Sequence, residues 1–353
     1  MLARWIAALV LALAAPAAFA DDPCGTGGMG GTGAPIAAHS GDGNGPAPDP
    51  VGGMGGTGIV AALAPGESGR VVGTITRFGS ICVNGLRVSY DADTPTELDG
   101  RTFNAADLHI GQLVRIEVMA AQDGLRAERI ALLSSVVGIV TARDEEGREF
   151  RVLGQPVQLG VDTWIAMTGT AVPALGTPVR VSGLMTPSGS VSASRVEGAA
   201  ASDPAVVMAR ITELDGRYAA VGAVRVEFPP NGVPAGTAIG DEIAVRGRWN
   251  GEALVAESAV LAPRGVPAAR PASIEGYLHA CSGSNALGLD GQVLEFEGIS
   301  APRILIGRRV VAEGRQRSDG VLIVSRMLPS PFTGDSLPAA EPFQCTARPT
   351  PGG

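Results

Sequence analysis

The chain has 353 residues, a hydrophobic fraction of 45% and a formal net charge of −8. The hydrophobic fraction is too high for a disordered polymer. Lysine is absent, and no stretch concentrates arginine without Asp or Glu nearby. A chain that binds phosphate backbones usually has a basic patch, so no nucleic-acid partner is expected. Gly (50) and Pro (26) are abundant. Together with many Val, Ile and Thr residues they indicate short strands and frequent turns, and hence an all-β chain.

The first 20 residues have the organisation of an export signal. Arg4 supplies a sparse positive region, residues 6–15 are apolar, and an Ala-x-Ala cleavage site ends at Ala20, before Asp21. No later segment reaches the ~18 apolar residues of a membrane helix. We therefore expect a periplasmic or secreted protein with no transmembrane segment after cleavage of residues 1–20.

Residues 21–69 form a Gly-rich low-complexity arm. The heptapeptide Gly-Gly-Met-Gly-Gly-Thr-Gly occurs twice, at 27–33 and 52–58. This composition cannot bury enough surface to fold alone and predicts a disordered arm. A Gly-x-Gly-x-x-Gly match at 25–30 does not indicate a dinucleotide site, because no strand precedes it and no helix follows it.

A repeated phrase organises the rest of the chain. Its leading glycines, Gly111, Gly176, Gly240 and Gly307, lie about 65 residues apart. Each begins an alternating apolar and polar run, then a turn, then a second alternating run, which is the pattern of a β-hairpin with a type I′ turn. The turns are Asp123-Gly124, Ser188-Gly189, Asn250-Gly251 and Asp319-Gly320. The predicted domains are repeats at 70–133, 136–198, 204–262 and 273–328, with a linker at 263–272 and a Pro-rich tail at 329–353.

The first repeat shows the strand plan in most detail. Asn84-Gly85 separates two short apolar runs, and a crossover over residues 91–109 includes one helical turn near residues 105–108. Three meandering strands, this crossover and the final hairpin give five strands in the order of an OB-type barrel. The fold prediction is therefore four tandem small OB-like five-stranded β barrels between a disordered arm and an irregular tail.

Residues 73–85, Gly-Thr-Ile-Thr-Arg-Phe-Gly-Ser-Ile-Cys-Val-Asn-Gly, with the Gly-Gly-Thr-Gly arm before them, resemble an uncharacterised family of exported proteobacterial proteins. In that family a G-x-I-x-x-F-G-S-I-x-V-N-G signature opens a "domain of unknown function". The Asp107-Leu108-x-x-Gly111 phrase fits as well, whereas repeats two to four are similar only in their strand and turn plan. The resemblance implies a small OB-like barrel in the cell envelope and no particular reaction.

The four cysteines are the candidate site residues. An even number of cysteines in an oxidising compartment favours disulfides, for which three pairings are possible. We favour Cys24–Cys82 and Cys281–Cys345, because each would join one irregular end to its adjacent repeat. The cysteines are scattered and form no Cys-x-x-Cys motif, so a metal or redox site is not expected.

The histidines suggest no catalytic site. His39, His109 and His279 have no zinc-binding spacing. His279 lies two residues from Cys281, which would place both on one face of a strand. A thiol nucleophile with a histidine base is conceivable there, but a disulfide cysteine beside a surface histidine is the favoured interpretation.

Residues 91–100 form the densest acidic run, with Asp91, Asp93, Glu97 and Asp99. A calcium loop would need oxygen ligands at regular positions, but Pro95 interrupts the pattern, so a solvated crossover loop is favoured. Trp164, Trp249, Phe78 and Tyr90 are expected at the core or its rim.

No cofactor is expected, and the sequence favours a non-enzymatic cell-envelope protein, either a binding module for a protein or glycan partner or a structural spacer. The alternative is an enzyme that acts on envelope polysaccharide through Asp91, Asp93, Glu97 or Asp107, which would require two carboxylates about 5–10 Å apart in a cleft.

Overall fold

The structure is a computed structural model that describes residues 24, 60, 63–167, 172–261, 270–282, 284–332 and 345. The described residues form strands and two short 3-10 turns, at Ala105–Asp107 and Arg303–Leu305. No helix in this part of the chain is long and apolar enough to cross a membrane. Residues 1–23, which include the expected export signal, and most of the arm and tail lie outside the described residues.

Barrel 1 has the predicted five strands and an added hairpin in its crossover. Its strands are β1 (Ser68–Arg77), β2 (Ile81–Val83), β3 (Leu86–Ser89), β4 (Thr96–Leu98), β5 (Arg101–Thr102), β6 (Leu113–Ala121) and β7 (Gly124–Leu133). β4 and β5 form the added hairpin. The helical turn expected near residues 105–108 is the 3-10 turn at Ala105–Asp107.

The other three barrels repeat the five-stranded plan without that hairpin. Barrel 2 contains β8 (Val136–Arg143), β9 (Glu149–Val152), β10 (Gln155–Ala166), β11 (Pro178–Met185) and β12 (Val191–Gly198). Barrel 3 contains β13 (Ala205–Asp215), β14 (Tyr218–Val221), β15 (Val224–Glu227), β16 (Glu242–Trp249) and β17 (Leu254–Leu261). Barrel 4 contains β18 (Arg270–Ala280), β19 (Leu287–Leu289), β20 (Gln292–Phe296), β21 (Arg309–Gln316) and β22 (Leu322–Pro329).

Each barrel closes in the OB order. Its first strand pairs with the second and the fourth, and its third strand pairs in parallel with the fifth, as in β3–β7, β10–β12, β15–β17 and β20–β22. Closure leaves no free sheet edge around the barrel, which removes a common site of aggregation. The predicted fold class is therefore confirmed.

The repeated glycine has a structural explanation. Gly111, Gly176, Gly240 and Gly307 all have a positive φ, between 77° and 90°. Each donates its N–H to a carbonyl of the first strand, that of Ile75, Val140, Ile211 or Leu278, at 2.8–2.9 Å. Only glycine adopts this backbone conformation at little cost. The glycine thus turns the chain into the fourth strand and fixes that strand against the first.

The predicted type I′ turns occur in a different hairpin. In the turns that follow the repeated phrase, Gly124, Gly189, Gly251 and Gly320 have a positive φ, but the residues before them do not. The prediction for these turns was therefore wrong. Both central residues have a positive φ in the hairpins between the second and third strands of barrels 1, 2 and 4, at Asn84-Gly85, Leu153-Gly154 and Asp290-Gly291. A type I′ turn requires this pair of values.

The barrels associate through their first strands. β1 pairs in parallel with β18, which joins barrels 1 and 4, and β8 pairs antiparallel with β13, which joins barrels 2 and 3. Barrels 2 and 3 share one continuous hydrophobic core. Leu113, Leu184, Met208 and Tyr277, one residue from each barrel, pack together where the two pairs meet. The four barrels therefore form a single packed body.

A buried ion pair reinforces the junction of barrels 1 and 4. The Glu275 carboxylate is 1% exposed and accepts hydrogen bonds from Arg309 Nε at 2.8 Å, Thr74 N at 2.8 Å and Ser330 Oγ at 2.5 Å. Burial alone would raise the pKa of Glu275, but the charge and hydrogen bond of Arg309, with the other two donors, lower it. The Arg309 guanidinium also lies 4.6 Å from the ring centre of Phe332.

The ends of the barrels differ from the expected boundaries. β1 begins at Ser68 rather than residue 70, and Val60 and Leu63 of the expected arm pack on the core of barrel 1. The linker expected at 263–272 ends earlier, because β18 begins at Arg270, which pairs with Gln316. Residues before the expected starts of barrels 1 and 4 thus contribute to the sheets and cores of these two barrels.

Candidate functional site

In an OB barrel, ligands bind across the second and third strands, between the loop that joins strands one and two and the loop that joins strands four and five. In barrel 3 these elements are β14, β15, residues 216–217 and residues 250–253. Ala219, Val221, Val224 and Val226 point into the core. Because side chains alternate along a strand, Tyr218, Ala220, Arg225 and Glu227 point outward.

These outward residues surround an aromatic ring. Tyr218 is 38% exposed, and the guanidinium carbons of Arg217 and Arg225 lie 5.3 Å and 5.4 Å from its ring centre. Arg217 Nη2 also donates to the Tyr218 hydroxyl at 3.2 Å. The tyrosine is therefore held on the surface between two cations, at a distance typical of cation–π contacts.

Carboxylates from a strand and a loop complete this arrangement. Arg217 forms an ion pair with Glu227, and Arg225 Nη1 lies 2.9 Å from Glu252 Oε1. Asn250 Oδ1 accepts the N–H groups of Glu252 and Ala253 at 2.9 Å and 2.8 Å, which holds the loop in a tight turn. We call the set Arg217, Tyr218, Arg225, Glu227 and Glu252 the Tyr218 surface.

The chemistry of the Tyr218 surface is that of a polar binding site with one stacking platform. Its two cations are balanced by two carboxylates, so it offers no net positive charge to a phosphate backbone. Ion pairs on an exposed surface contribute little to stability, so their donors and acceptors can turn to a ligand at little cost. Guanidinium groups donate and carboxylates accept hydrogen bonds, which together match the hydroxyl groups of a saccharide.

The structure joins the four predicted cysteines in the favoured pairs. Cys24 is bonded to Cys82 and Cys281 to Cys345, with Cα–Cα distances of 5.5 Å and 5.2 Å. Each disulfide connects one end of the chain to a terminal barrel. The described cysteines therefore act as cross-links and not as thiol nucleophiles.

The histidine beside the second disulfide is not on the surface, contrary to expectation. His279 is 4% exposed, and its Nδ1 lies 3.1 Å from the carbonyl oxygen of Tyr277. Its Nε2 lies 3.5 Å from Sγ of Cys345, the partner of Cys281. Burial lowers the pKa of His279, with a further contribution from the nearby charge of Arg210. His279 is buried because β18 is covered on both of its faces from Pro271 to His279.

Three side chains of the acidic run in barrel 1 each pair with a different arginine. Asp91 pairs with Arg126 at 2.6 Å, and Glu97 pairs with Arg129 at 3.8 Å. Asp99 is directed toward barrel 2, where it pairs with Arg180 at 2.5 Å. Within the described residues no three His, Cys, Asp or Glu side chains converge on a possible metal position.

A surface groove lies next to this run. It has a volume of about 390 Å³ and is lined by Asp91, Asp93, Thr94, Pro95, Met119, Arg126, Ala127 and Glu128. Of the four carboxylates considered for catalysis, Asp91 and Asp93 line it. Glu97 and Asp107 do not, because Glu97 lies in strand β4 and Asp107 in the exposed 3-10 turn.

The remaining candidates have structural positions. Trp249 and Tyr90 pack against barrel cores, whereas Trp164 and Phe78 are 42% and 43% exposed at the rim. His109 is exposed and contacts the Asp107 carbonyl at 2.7 Å, and His39 lies outside the described residues.

No sequence motif marks the residues of the Tyr218 surface as a binding site. The signal was present in the alternation of residues 218–227, which places Tyr218, Arg225 and Glu227 on one side of a hairpin. The contribution of Glu252 required the three-dimensional fold, because it comes from a loop 25 residues after Glu227 in the sequence.

Comparisons with known proteins assign no activity. Residues 68–131 and 137–197 match the family "Domain of unknown function (DUF5666)". These ranges correspond to barrels 1 and 2, so the second repeat is similar to the family beyond its strand and turn plan. The solved structure "drosophila Unr CSD456" is 13% identical, with a TM-score of 0.19, over 57% of this chain and 98% of its own. No curated protein matches the chain.

Proposed function

We propose that the protein is an exported, non-enzymatic binding protein of the cell envelope and that the Tyr218 surface of barrel 3 binds a neutral glycan. The observation that carries this proposal is the placement of one exposed tyrosine, two arginines and two glutamates on the ligand face of an OB barrel.

Export is supported by the N-terminal sequence and by the disulfides. An apolar segment followed by an Ala-x-Ala site precedes Asp21, and that pattern is typical of a cleaved signal. The four cysteines form two disulfides, and disulfides persist in oxidising compartments such as the periplasm. An envelope location would bring the protein into contact with polysaccharide.

A glycan is favoured over a nucleic acid because of charge. The whole chain has a net charge of −8, and both arginines of the Tyr218 surface already face carboxylates. Nucleic-acid binding depends on unpaired cations that neutralise phosphates. A sugar ring needs instead an aromatic face on which its C–H groups can stack, together with donors and acceptors for its hydroxyl groups.

Binding can be tested by titrating the mature chain with neutral oligosaccharides released from the envelope, with isothermal calorimetry as the readout. We expect saturable heat that Tyr218→Ala abolishes and that changes little with salt. Arg101→Ala, which replaces an exposed arginine in strand β5 outside the ligand faces, is the control and should leave the titration unchanged. Equal binding by the wild type and Tyr218→Ala would contradict the proposed site. A salt-sensitive anisotropy change with a labelled oligonucleotide would instead indicate a nucleic-acid partner.

One observation supports the enzymatic alternative. The groove of about 390 Å³ is lined by three carboxylates, those of Asp91, Asp93 and Glu128. Two carboxylates in a cleft are the minimum for glycoside hydrolysis. An enzyme would release reducing sugar from envelope polysaccharide. Loss of this release in Asp93→Asn, but not in the control variant Glu97→Gln, would support the enzymatic alternative. No release by the wild type would leave the binding proposal.

A further inference from the structure

The four barrels share one position at the centre of the ligand face. In barrel 1 it is Cys82, which pairs across the hairpin with Arg87. The same register gives Arg151, opposite Pro156, in barrel 2 and Ala220, opposite Arg225, in barrel 3. In barrel 4 the position is Gly288, opposite Val293. Residues on both sides of each position point into the core, so the position itself points outward.

In barrel 1 this position is bonded to the N-terminal end of the mature chain. The Cys82 side chain forms the disulfide with Cys24. Although it points away from the core, Cys82 is 2% exposed, and Cys24 is 8% exposed. The centre of this ligand face is therefore closed to solvent.

In barrel 4 the same position is covered by the other end of the chain, although its cysteine comes from a different strand. Cys345 is bonded to Cys281, which directly follows β18. Its Sγ lies so close to Gly288 that a Cβ on this glycine would be 2.6 Å from the sulfur. A side chain at residue 288 would thus occupy the space that Cys345 fills.

Among the residues that the structure describes, none covers the equivalent position of barrels 2 and 3 in this way. Arg151 is exposed and Ala220 is half-buried, and both disulfides of the described residues are at the other two barrels. The two disulfides thus place Cys24 and Cys345 at the same position of barrels 1 and 4, although their partner cysteines lie in different parts of each barrel.

We infer that the two ends of the chain are built-in occupants of the ligand faces of barrels 1 and 4. The occupant is Cys24 in barrel 1 and Cys345 in barrel 4. External ligands then have access to the faces of barrels 2 and 3. The link to ligand binding rests on the proposed function, but the occupancy itself does not.

Thiol labelling tests the occupancy without any ligand. Cys24→Ala leaves Cys82 as a thiol, and Ala220→Cys places a thiol at the matching position of the open barrel 3. We expect native Cys82 in Cys24→Ala to react with iodoacetamide within about threefold of the Ala220→Cys rate, because alkylation depends on thiol exposure. Circular dichroism and thermal unfolding would establish that both variants are folded.

Barrel 4 gives an independent comparison. Gly288→Cys, combined with Cys281→Ala and Cys345→Ala, should label at a similar rate once His279→Ala is added. The last change is needed because His279 Nε2 also lies 2.6 Å from a Cβ at residue 288. If Cys24→Ala is poorly folded, reduction of the wild type with a phosphine before alkylation provides the same measurement at Cys82. Labelling of Cys82 and residue 288 more than about tenfold slower than the Ala220→Cys control would overturn the inference, because another element would then cover these positions.

A binding measurement separates this inference from the proposed function. With the neutral oligosaccharides as the probe, Cys24→Ala should gain a site that Tyr218→Ala does not remove. If labelling is fast but no saccharide binds to any variant, the occupancy stands and the proposed function fails. If the wild type binds through Tyr218 but Cys82 stays protected after removal of Cys24, the occupancy fails and the proposed function stands.

Discussion

The Asp290 carboxyl lies in the type I′ turn of barrel 4, against the junction with barrel 3. A Cβ on Gly276 would lie 2.8 Å from its Oδ2, and the Tyr277 N–H donates to it. The Arg210 guanidinium of barrel 3 packs on the neighbouring Gly291, where a Cβ would be 2.0 Å from Cζ. Burial, with a smaller contribution from the charge of Glu242, raises the pKa of Asp290 to about 7.

The sign of the expected effect follows from proton linkage. Between about pH 4 and pH 7 the folded protein retains a proton on Asp290 that the unfolded chain has released, so stability falls as the pH rises through this window. A change in pKa from 3.8 to about 7 corresponds to about 4 kcal/mol at 1.36 kcal/mol per pKa unit. Above pH 7 the full cost of the buried charge is present.

Asp290→Asn removes this titration and keeps the turn. Asn tolerates the φ of 47° found at residue 290, and barrel 1 has Asn84, with φ of 56°, at the equivalent position. We expect the variant to match the wild type near pH 4 and to be more stable by up to about 4 kcal/mol at pH 8.

Denaturant unfolding at several pH values would measure the difference in stability between Asp290→Asn and the wild type. Hydrogen exchange of peptides from β18 and β19 would measure the same difference near the affected turn. Other titrating groups, including His279, are the same in both proteins and cancel in the comparison. A difference that is constant from pH 4 to pH 8, or that favours the wild type at pH 8, would refute the reasoning.

Two further predictions concern the barrel framework. Gly176→Ala should lower the free energy of unfolding by about 1–2 kcal/mol, because its φ is 77° and nothing else obstructs a Cβ. Gly111→Ala should lower it further, since its Cβ would lie 2.7 Å from the Ser194 carbonyl oxygen, and Gly198→Ala, in open space, is the control. Glu275→Gln should lower the free energy of unfolding by about 3–5 kcal/mol, and with it the melting temperature, because the buried Arg309 guanidinium loses its counter-ion. Scanning calorimetry measures the melting temperature, and an unchanged value would contradict the structural role given to this ion pair.

The internal plan of each barrel could be predicted because its determinants are local. A glycine with positive φ, such as Gly240, recurs wherever the chain enters the fourth strand, and alternation marks the strands on either side. The type of the turns was less accessible, because a dipeptide such as Asn250-Gly251 is compatible with more than one turn geometry. The strand register, and not the dipeptide alone, selected the geometry.

The association of the barrels could not be predicted in the same way. Thr74, Glu275 and Arg309 are far apart in the sequence and belong to no local pattern, yet they form one buried network. A lone buried carboxylate would be costly. Its tolerance here depends on Arg309 and on Ser330, at the end of the same barrel, and on the Thr74 N–H of barrel 1. The last donor is in place only when the two barrels are in contact.

The repeats also show how one framework acquires different surfaces. The inward residues of the second strand stay apolar in all four barrels, because they fill a core. The central outward residue is a cysteine, an arginine, an alanine or a glycine, at Cys82, Arg151, Ala220 and Gly288. Substitution at an outward position leaves the core packing intact, so the face can change without loss of the fold. On the proposed function, the small residue at 220 leaves room for a ligand beside Tyr218, whereas Cys82 and Gly288 lie against the sulfur atoms of Cys24 and Cys345.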